Sequence, residues 1–168
     1  MSEDVPRVFP YNRSVDDRGY FATVFPHEVI SLLNLKEVYI SVTMTREKHT
    51  IRGMHYQKSP FEEAKLLSVL QGSIVDVLID LRSLARGTKR IFSFTLRENQ
   101  EEVLYIPKGF AHGYQTLCSN TQVLYALDSR YEPSHCDGYS PLSESVEKFW
   151  PFKPSIIHKR DLQWPVLP

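Results

Sequence analysis

The sequence predicts an all-β chain, and three observations carry that expectation. Apolar residues recur mostly with a period of two. The runs are short and follow one another closely, with turn-forming residues between them. No linker, internal repeat or low-complexity tract divides the chain into parts. Many short strands at close spacing imply a sandwich or barrel, and a jelly roll (a double-stranded β-helix) is the favoured arrangement for a single domain over residues 1–168. Short flanking helices and an irregular C-terminal tail complete the expected architecture.

Each element has its own signal. Residues 27–33 form a short helix after Pro26. Over residues 38–45, Val38, Ile40, Val42 and Met44 alternate with Tyr39, Ser41, Thr43 and Thr45, so one face is oily and the other carries hydroxyls. Residues 64–70 put Lys65, Leu67 and Val69 on one side. In residues 74–82, Ile74, Asp76, Leu78 and Asp80 share a face against Val75, Val77, Ile79 and Leu81. Further strands are expected at 91–96, 103–106 and 121–127. Gln71-Gly72-Ser73, Ala85-Arg86-Gly87, Glu98-Asn99-Gln100 and Pro107-Lys108-Gly109 supply the turns between runs. Pro133, Pro141, Pro151, Pro154, Pro165 and Pro168 argue for a packed, irregular tail rather than more sheet.

Composition narrows the function classes. A chain of 168 residues with 42% hydrophobic content can bury a core without staples. The 20 basic residues balance the 20 acidic ones, which leaves no electrostatic footprint for a nucleic-acid backbone. Cys118 and Cys136 form neither a CxxC pair nor a zinc-ligand spacing, and two lone thiols fit a reduced compartment. Met1-Ser2-Glu3-Asp4 lacks the basic and apolar pattern of a signal peptide. No apolar stretch approaches the roughly 20 residues of a membrane span. A soluble cytoplasmic protein is expected.

Two strings dominate the chemistry: Arg52-Gly53-Met54-His55-Tyr56-Gln57 and Ile106-Pro107-Lys108-Gly109-Phe110-Ala111-His112-Gly113. Each sets a histidine beside a glycine within β-forming sequence. A lone strand histidine is ordinarily structural, but two at a barrel mouth with a lysine and a carboxylate make a proton-transfer site, because imidazole titrates near neutral pH. Lys65 has the parity to enter the barrel, although edge strands also carry defensive lysines. Asp76 faces the same way and is its expected partner. Asp80 is read as a structural cap with Arg82. Tyr125 and Tyr131 share strand parity and could face one cavity, while most strand tyrosines only pack. Arg18-Gly19-Tyr20-Phe21 offers a guanidinium beside aromatics, suited to phosphate contact or base stacking. A metal site is disfavoured, since position 57 holds Gln where a cupin-type metal site has a second histidine.

Taken in order, these segments resemble the nucleotide-sugar 3,5-epimerase family that acts on dTDP-4-keto-6-deoxyglucose-type substrates. The resemblance runs from Asp17-Arg18-Gly19-Tyr20-Phe21 through both histidine strings to Phe149-Trp150-Pro151 and Lys159-Arg160-Asp161-Leu162. It implies a cupin subunit, a homodimer exchanging N-terminal strands, and no metal or organic cofactor. It assigns His55 as the base, Tyr125 as the acid on the opposite face and Lys65 as the stabiliser of the enolate oxygen. Arg52 and His112 would line the sugar–phosphate site, Gln57 would belong to the substrate-binding set, Tyr131 would stack on the base, and Arg18 and Phe21 would help hold the nucleotide. The pathway implied is deoxysugar and O-antigen-type polysaccharide biosynthesis.

Departures from the family pattern shape the remaining expectations. The family's Asp before the Trp-Pro pair, which orients the catalytic histidine, falls here on Ser143, with Glu144 next to it as a substitute. A serine holds a tautomer but cannot stabilise imidazolium as a carboxylate does, so a weaker base is expected. Thr23, Ser41 and Cys136 stand where the family places base-contacting residues, which favours cytidine or guanosine over thymidine and admits a single-centre C3 enzyme. Two rivals stand beside this reading. A 3,4-ketoisomerase on the same fold would carry a further histidine at Tyr56-Gln57. A non-catalytic sugar-nucleotide-binding cupin would need no base and acid on opposite faces.

Overall fold

A computed structural model describes residues 4–34 and 36–168; Met1, Ser2 and Glu3 of the acidic N-terminus lie outside the described residues. The strands are β1 (Arg7–Pro10), β2 (Arg13–Asp16), β3 (Gly19–Ala22), β4 (Tyr39–Thr45), β5 (Thr50–Gln57), β6 (Lys65–Gln71), β7 (Ser73–Asp80), β8 (Ile91–Arg97), β9 (Glu102–Ile106), β10 (Phe110–Thr116), β11 (Thr121–Leu127), β12 (Cys136–Gly138) and β13 (Ile156–Ile157). Four one-turn helices, α1 (His27–Ile30), α2 (Leu81–Leu84), α3 (Glu144–Glu147) and α4 (Lys159–Leu162), decorate them. The first sheet runs β1-β9-β6-β11-β4 and the second β12-β5-β10-β7-β8, with β13 added to β5 in parallel and β2–β3 standing apart as a hairpin. This is the expected jelly roll.

The sequence patterns have direct structural causes. Every residue of β7 is buried, because Ile74 and Leu78 pack between the sheets while Val75, Val77 and Ile79 meet the C-terminal tail. The predicted strand ends early: the Asp80 carboxylate accepts the Arg82 N–H at 3.1 Å and starts α2, as the capping reading anticipated. The tail carries more sheet than its prolines suggest, since β12 and β13 both pair with β5. Their partner is the free side of β5, so short pieces between prolines are enough. Val29, Leu33, Leu66, Val103, Tyr105 and Ala126 form a third cluster, beneath the N-terminal segment on the outer side of the first sheet.

Strand β4 is oriented against the usual rule. Its hydroxyl face points between the sheets, and its oily face points out: Ile40, Val42 and Met44 are 59%, 54% and 45% exposed. It is also an edge strand.

The glycines of the two histidine strings face one another across β5 and β10. A Cβ on Gly53 (φ +138°) would collide with Gly113 Cα and sit 2.9 Å from the His112 carbonyl oxygen. A Cβ on Gly113 would lie 2.8 Å from the Arg52 carbonyl oxygen. Only bare backbone permits this approach, and it brings His55 and His112 into direct register. None of the helices of the described residues is long and apolar enough to cross a membrane.

Candidate active site

A cleft of about 210 Å³ opens between the sheets, lined by His55, Lys65, His112, Tyr125 and Tyr131 together with Glu63, Arg160 and others. β5 and β10 deliver the histidines from the second sheet. β6 and β11 deliver Lys65 and Tyr125 from the first, with Lys65 paired to Leu127 in register. Base and acid candidates therefore stand on opposite walls.

The partner of His55 is Asp161, on α4. Its Oδ1 is 2.7 Å from His55 Nε2, and its Oδ2 accepts the Gly53 backbone N–H at 3.3 Å. Burial alone would raise the Asp161 carboxyl, yet the hydrogen bond and charge of His55, the Gly53 N–H and Arg160 together hold it below the ordinary carboxylate range. An ionised carboxylate only accepts, so Nε2 carries the proton and Nδ1 is the basic nitrogen.

This corrects the expectation for Ser143 and Glu144. Ser143 is buried in the tail, where its hydroxyl donates to the Ser140 carbonyl at 2.7 Å and accepts the Leu167 N–H at 2.8 Å. Glu144 is exposed at the start of α3. Neither serves His55, because the chain turns back and offers α4 instead. The carboxylate of the dyad is present, and the weaker base expected of a serine partner does not follow.

Lys65 enters the barrel as its parity requires, but it pairs with Glu63 rather than Asp76. Its Nζ lies 2.9 Å from Glu63 Oε1, with both side chains almost fully buried. Glu63 Oε2 in turn accepts from Gln57 Nε2 at 3.0 Å. Gln57 also donates to the Phe61 and Arg130 carbonyls and accepts the Glu132 N–H at 2.7 Å. It lines the cleft with its polar atoms already engaged, as a strut for the rim.

Asp76 turns instead to His112, whose Nδ1 is 3.3 Å from Asp76 Oδ2. Burial is the chief force on both. It raises the Asp76 carboxyl well above its usual range, with Lys65 opposing. It holds the His112 imidazole well below its usual value, reinforced by the charges of Lys65 and His55. Burial thus favours the uncharged form of each partner, and with Nδ1 turned to Asp76, Nε2 is the His112 nitrogen left to the cleft.

Tyr131 stands at the mouth, 62% exposed, and its hydroxyl accepts from Arg160 at 3.3 Å. Cys136 lies beside it as a free thiol. Arg52 does not line the cleft; its guanidinium donates to Thr45 Oγ1 at 2.9 Å and to the Met44 carbonyl at 3.3 Å. Arg18 and Phe21 are also elsewhere. Arg18 binds Asp16 at 2.6 Å on the hairpin, and Phe21 is exposed on β3. Neither lines the cleft among the described residues, and the β2–β3 hairpin that carries them pairs with no other strand.

Asp161, Glu63 and Arg160 were not among the site residues read from the sequence. Glu63 had a signal: two positions before Lys65, it shares that residue's side of an extended chain. Asp161 and Arg160 lay within the last string of the resemblance. Nothing local ties a residue of the tail to His55.

Residues 4–168 match the family model described as dTDP-4-dehydrorhamnose 3,5-epimerase. The chain is similar to the crystal structure of the dTDP-4-dehydrorhamnose 3,5-epimerase of Bacillus anthracis, determined with TDP and PPi bound, at 32% identity over 96% of this chain and 94% of that one, with a TM-score of 0.86. The enzyme of that name from Sulfolobus tokodaii matches at 32% identity, 96% and 89% coverage and a TM-score of 0.81. A dTDP-4-dehydrorhamnose 3-epimerase of Streptomyces niveus is 26% identical over 95% of this chain and 77% of its own length.

Proposed function

Because this chain belongs to the dTDP-4-dehydrorhamnose 3,5-epimerase family of isomerases, we propose that it inverts C3, C5 or both of a nucleotide-linked 4-keto-6-deoxyhexose. The observation that carries the reading is the His55–Asp161 dyad on one wall of the cleft with Tyr125 on the other. His55 removes the proton from the carbon beside the 4-keto group. The electron pair moves to the ketone oxygen, and the Lys65 ammonium stabilises the enolate as it forms in a water-poor site. Tyr125 then gives its proton to the same carbon from the opposite face, and the ketone re-forms with inverted configuration. Proton transfer alone accounts for the change, so no redox cofactor is called for.

His112 supports the enolate or the sugar hydroxyls through Nε2–H, and Tyr131 with Arg160 holds the nucleotide end. The dyad disfavours a purely binding role, since binding requires no oriented base. Tyr56-Gln57, without a further histidine, disfavours the ketoisomerase.

The subunit works as a homodimer. Two unpaired features support this: the outward Ile40, Val42 and Met44 stripe on the edge strand β4, and the hairpin whose Val15, Tyr20 and Phe21 are exposed. Exchange of N-terminal strands would carry Arg18 and Phe21 of each chain to the other's cleft, in agreement with their absence from their own. The free Cys118 and Cys136 support a reducing, cytoplasmic setting.

The names of the relatives support thymidine as the base; Thr23, Ser41 and Cys136 at the base-contacting places support cytidine or guanosine. The test is deuterium uptake from heavy water into dTDP-, CDP- and GDP-4-keto-6-deoxyhexoses, followed by NMR. Uptake at C3 alone identifies a single-centre enzyme, and uptake at C3 and C5 the double epimerase. His55→Asn should abolish uptake. Tyr125→Phe should retain uptake while losing inversion. No uptake with any substrate would overturn the proposal in favour of a binding protein.

A further inference from the structure

The Gln57 side chain, buried at the end of β5, has no part in the reaction above, yet its polar atoms are fully engaged. Its Oε1 accepts the Glu132 N–H at 2.7 Å, and its Nε2 stands 3.0 Å from the Arg130 carbonyl oxygen. These two backbone groups bracket Tyr131, so the amide clamps that residue as a neighbouring strand would. The same Nε2 stands 3.0 Å from the Phe61 carbonyl oxygen and 3.0 Å from Glu63 Oε2. Glu63 Oε1 is in turn 2.9 Å from Lys65 Nζ. A primary amide both donates and accepts. A carboxylate in its place would hold one side of this joint, and an apolar chain of equal length neither.

The joint lies between two loops that pack against each other. Residues 58–64 carry Glu63, and residues 128–135 carry Tyr131. The Lys58 N–H donates to the His135 carbonyl at 2.9 Å, and the Ala64 N–H to Asp128 Oδ1 at 2.8 Å. Between them the Phe61 ring meets the His135 ring at 4.6 Å and takes the Arg130 guanidinium at 5.1 Å. Of these contacts, that of Gln57 alone ends on the Glu63 carboxylate. The path from Tyr131 to Lys65 therefore runs through one amide and one carboxylate, both lining the cleft.

We propose that Gln57 couples the nucleotide end of the cleft to its enolate end. A nucleotide seated on Tyr131 fixes the backbone of residues 130–132. The Gln57 amide carries that constraint to Glu63, and Glu63 holds Lys65 Nζ against the enolate oxygen. Binding energy from the non-reacting part of the substrate then acts at the reacting carbon, which raises kcat rather than merely lowering KM. Gln57 touches no reacting atom and is a positioning residue. The inference rests on the proposed epimerisation, with Tyr131 at the nucleotide and Lys65 at the enolate.

The test is a double-mutant cycle on kcat and KM, read as deuterium uptake into the preferred nucleotide 4-keto sugar. It compares wild type, Gln57→Met, Tyr131→Ala and the two changes together. Gln57→Met should lower kcat about tenfold and move KM by less than about threefold. Tyr131→Ala should lower kcat by a similar factor besides raising KM. The double variant should lose about tenfold in kcat, not the roughly hundredfold of independent sites, because either change alone already breaks the joint. Gln57→Glu keeps the shape and the Glu132 contact and should reproduce the cycle, which guards against a Gln57→Met chain that does not fold. A loss of about a hundredfold in the double variant would show that Gln57 supports Lys65 whatever the nucleotide end does. A change in KM alone would confine Gln57 to nucleotide binding, and an unchanged kcat in either single variant would break the chain of contacts; each result overturns the coupling. A wild-type enzyme that takes up no deuterium into any of the substrates would instead overturn the proposed reaction, and the coupling with it.

Discussion

Asp161 Oδ1 lies 2.7 Å from His55 Nε2, although the two residues are 106 apart in the chain. The contact joins the last short helix to the middle of the second sheet. It gives the imidazole a fixed tautomer and a counter-charge for the proton it would accept. Asp161→Asn keeps the shape and removes the charge, and should lower inversion by about 10²-fold or more. Ser143→Ala should leave turnover within about twofold and cost about 1–2 kcal/mol of stability, through the lost Leu167 and Ser140 hydrogen bonds. Steady-state rates and thermal melts of the two variants, side by side, decide between Asp161 and Ser143.

Lys65 and Glu63 are coupled in a nearly dry site, so their variants should divide function from stability. Lys65→Met removes the cation that faces the enolate oxygen and should reduce turnover on the order of 10²-fold. Glu63→Gln keeps the contact with Lys65 as a neutral hydrogen bond and should retain most turnover, while lowering stability by about 1–3 kcal/mol. Equal rates for Lys65→Met and wild type would remove Lys65 from the chemistry.

The buried His112–Asp76 pair predicts a pH signature. In the unfolded chain a histidine titrates near about 6.5, whereas folded His112 refuses its proton until lower pH. The unfolded state therefore binds more protons as the pH drops below that value, and the His112 contribution to stability is lost on acidification. Asp76 has the opposite sign: its contribution is complete at low pH and is lost as pH rises through its raised folded value. In thermal melts from about pH 7 to about pH 5 the two contributions oppose one another, so the variants separate them. Relative to wild type, acidification should lower Tm less in His112→Asn and more in Asp76→Asn. A His112 variant with the wild-type slope would show that this imidazole is not the buried neutral group.

The outward stripe on β4 gives a direct test of assembly. Val42→Glu places a charge at the centre of Ile40, Val42 and Met44 and should convert a dimer to a monomer in sedimentation, with the monomer fold intact by circular dichroism. If the partner's hairpin supplies Arg18 and Phe21, KM should rise more than kcat falls. A wild-type monomer at micromolar concentration would rule the dimer out.

Much of the fold was legible because its cause is local. The alternation in residues 38–45, 64–70, 91–96 and 121–127 gave the strands, and the turn residues gave their limits. The glycine beside each histidine marked the place where β5 and β10 touch. His55, Lys65, His112 and Tyr125 were legible as well, since strand parity suits Lys65 and Tyr125 to the interior and the resemblance names all four. Parity alone could not say which face of β4 is buried; that depends on β11 and on what covers the first sheet. Nor could it choose a partner for Lys65, because Glu63 and Asp76 have equivalent parity and only the sheet packing fixes their distances. Asp161 was hidden for the same reason. The sequence by itself determined the elements and the residue types of the site, which follow from periodicities of a few residues. The tertiary structure decided the pairings, because the distance between two charges is set by the path of the whole chain between them.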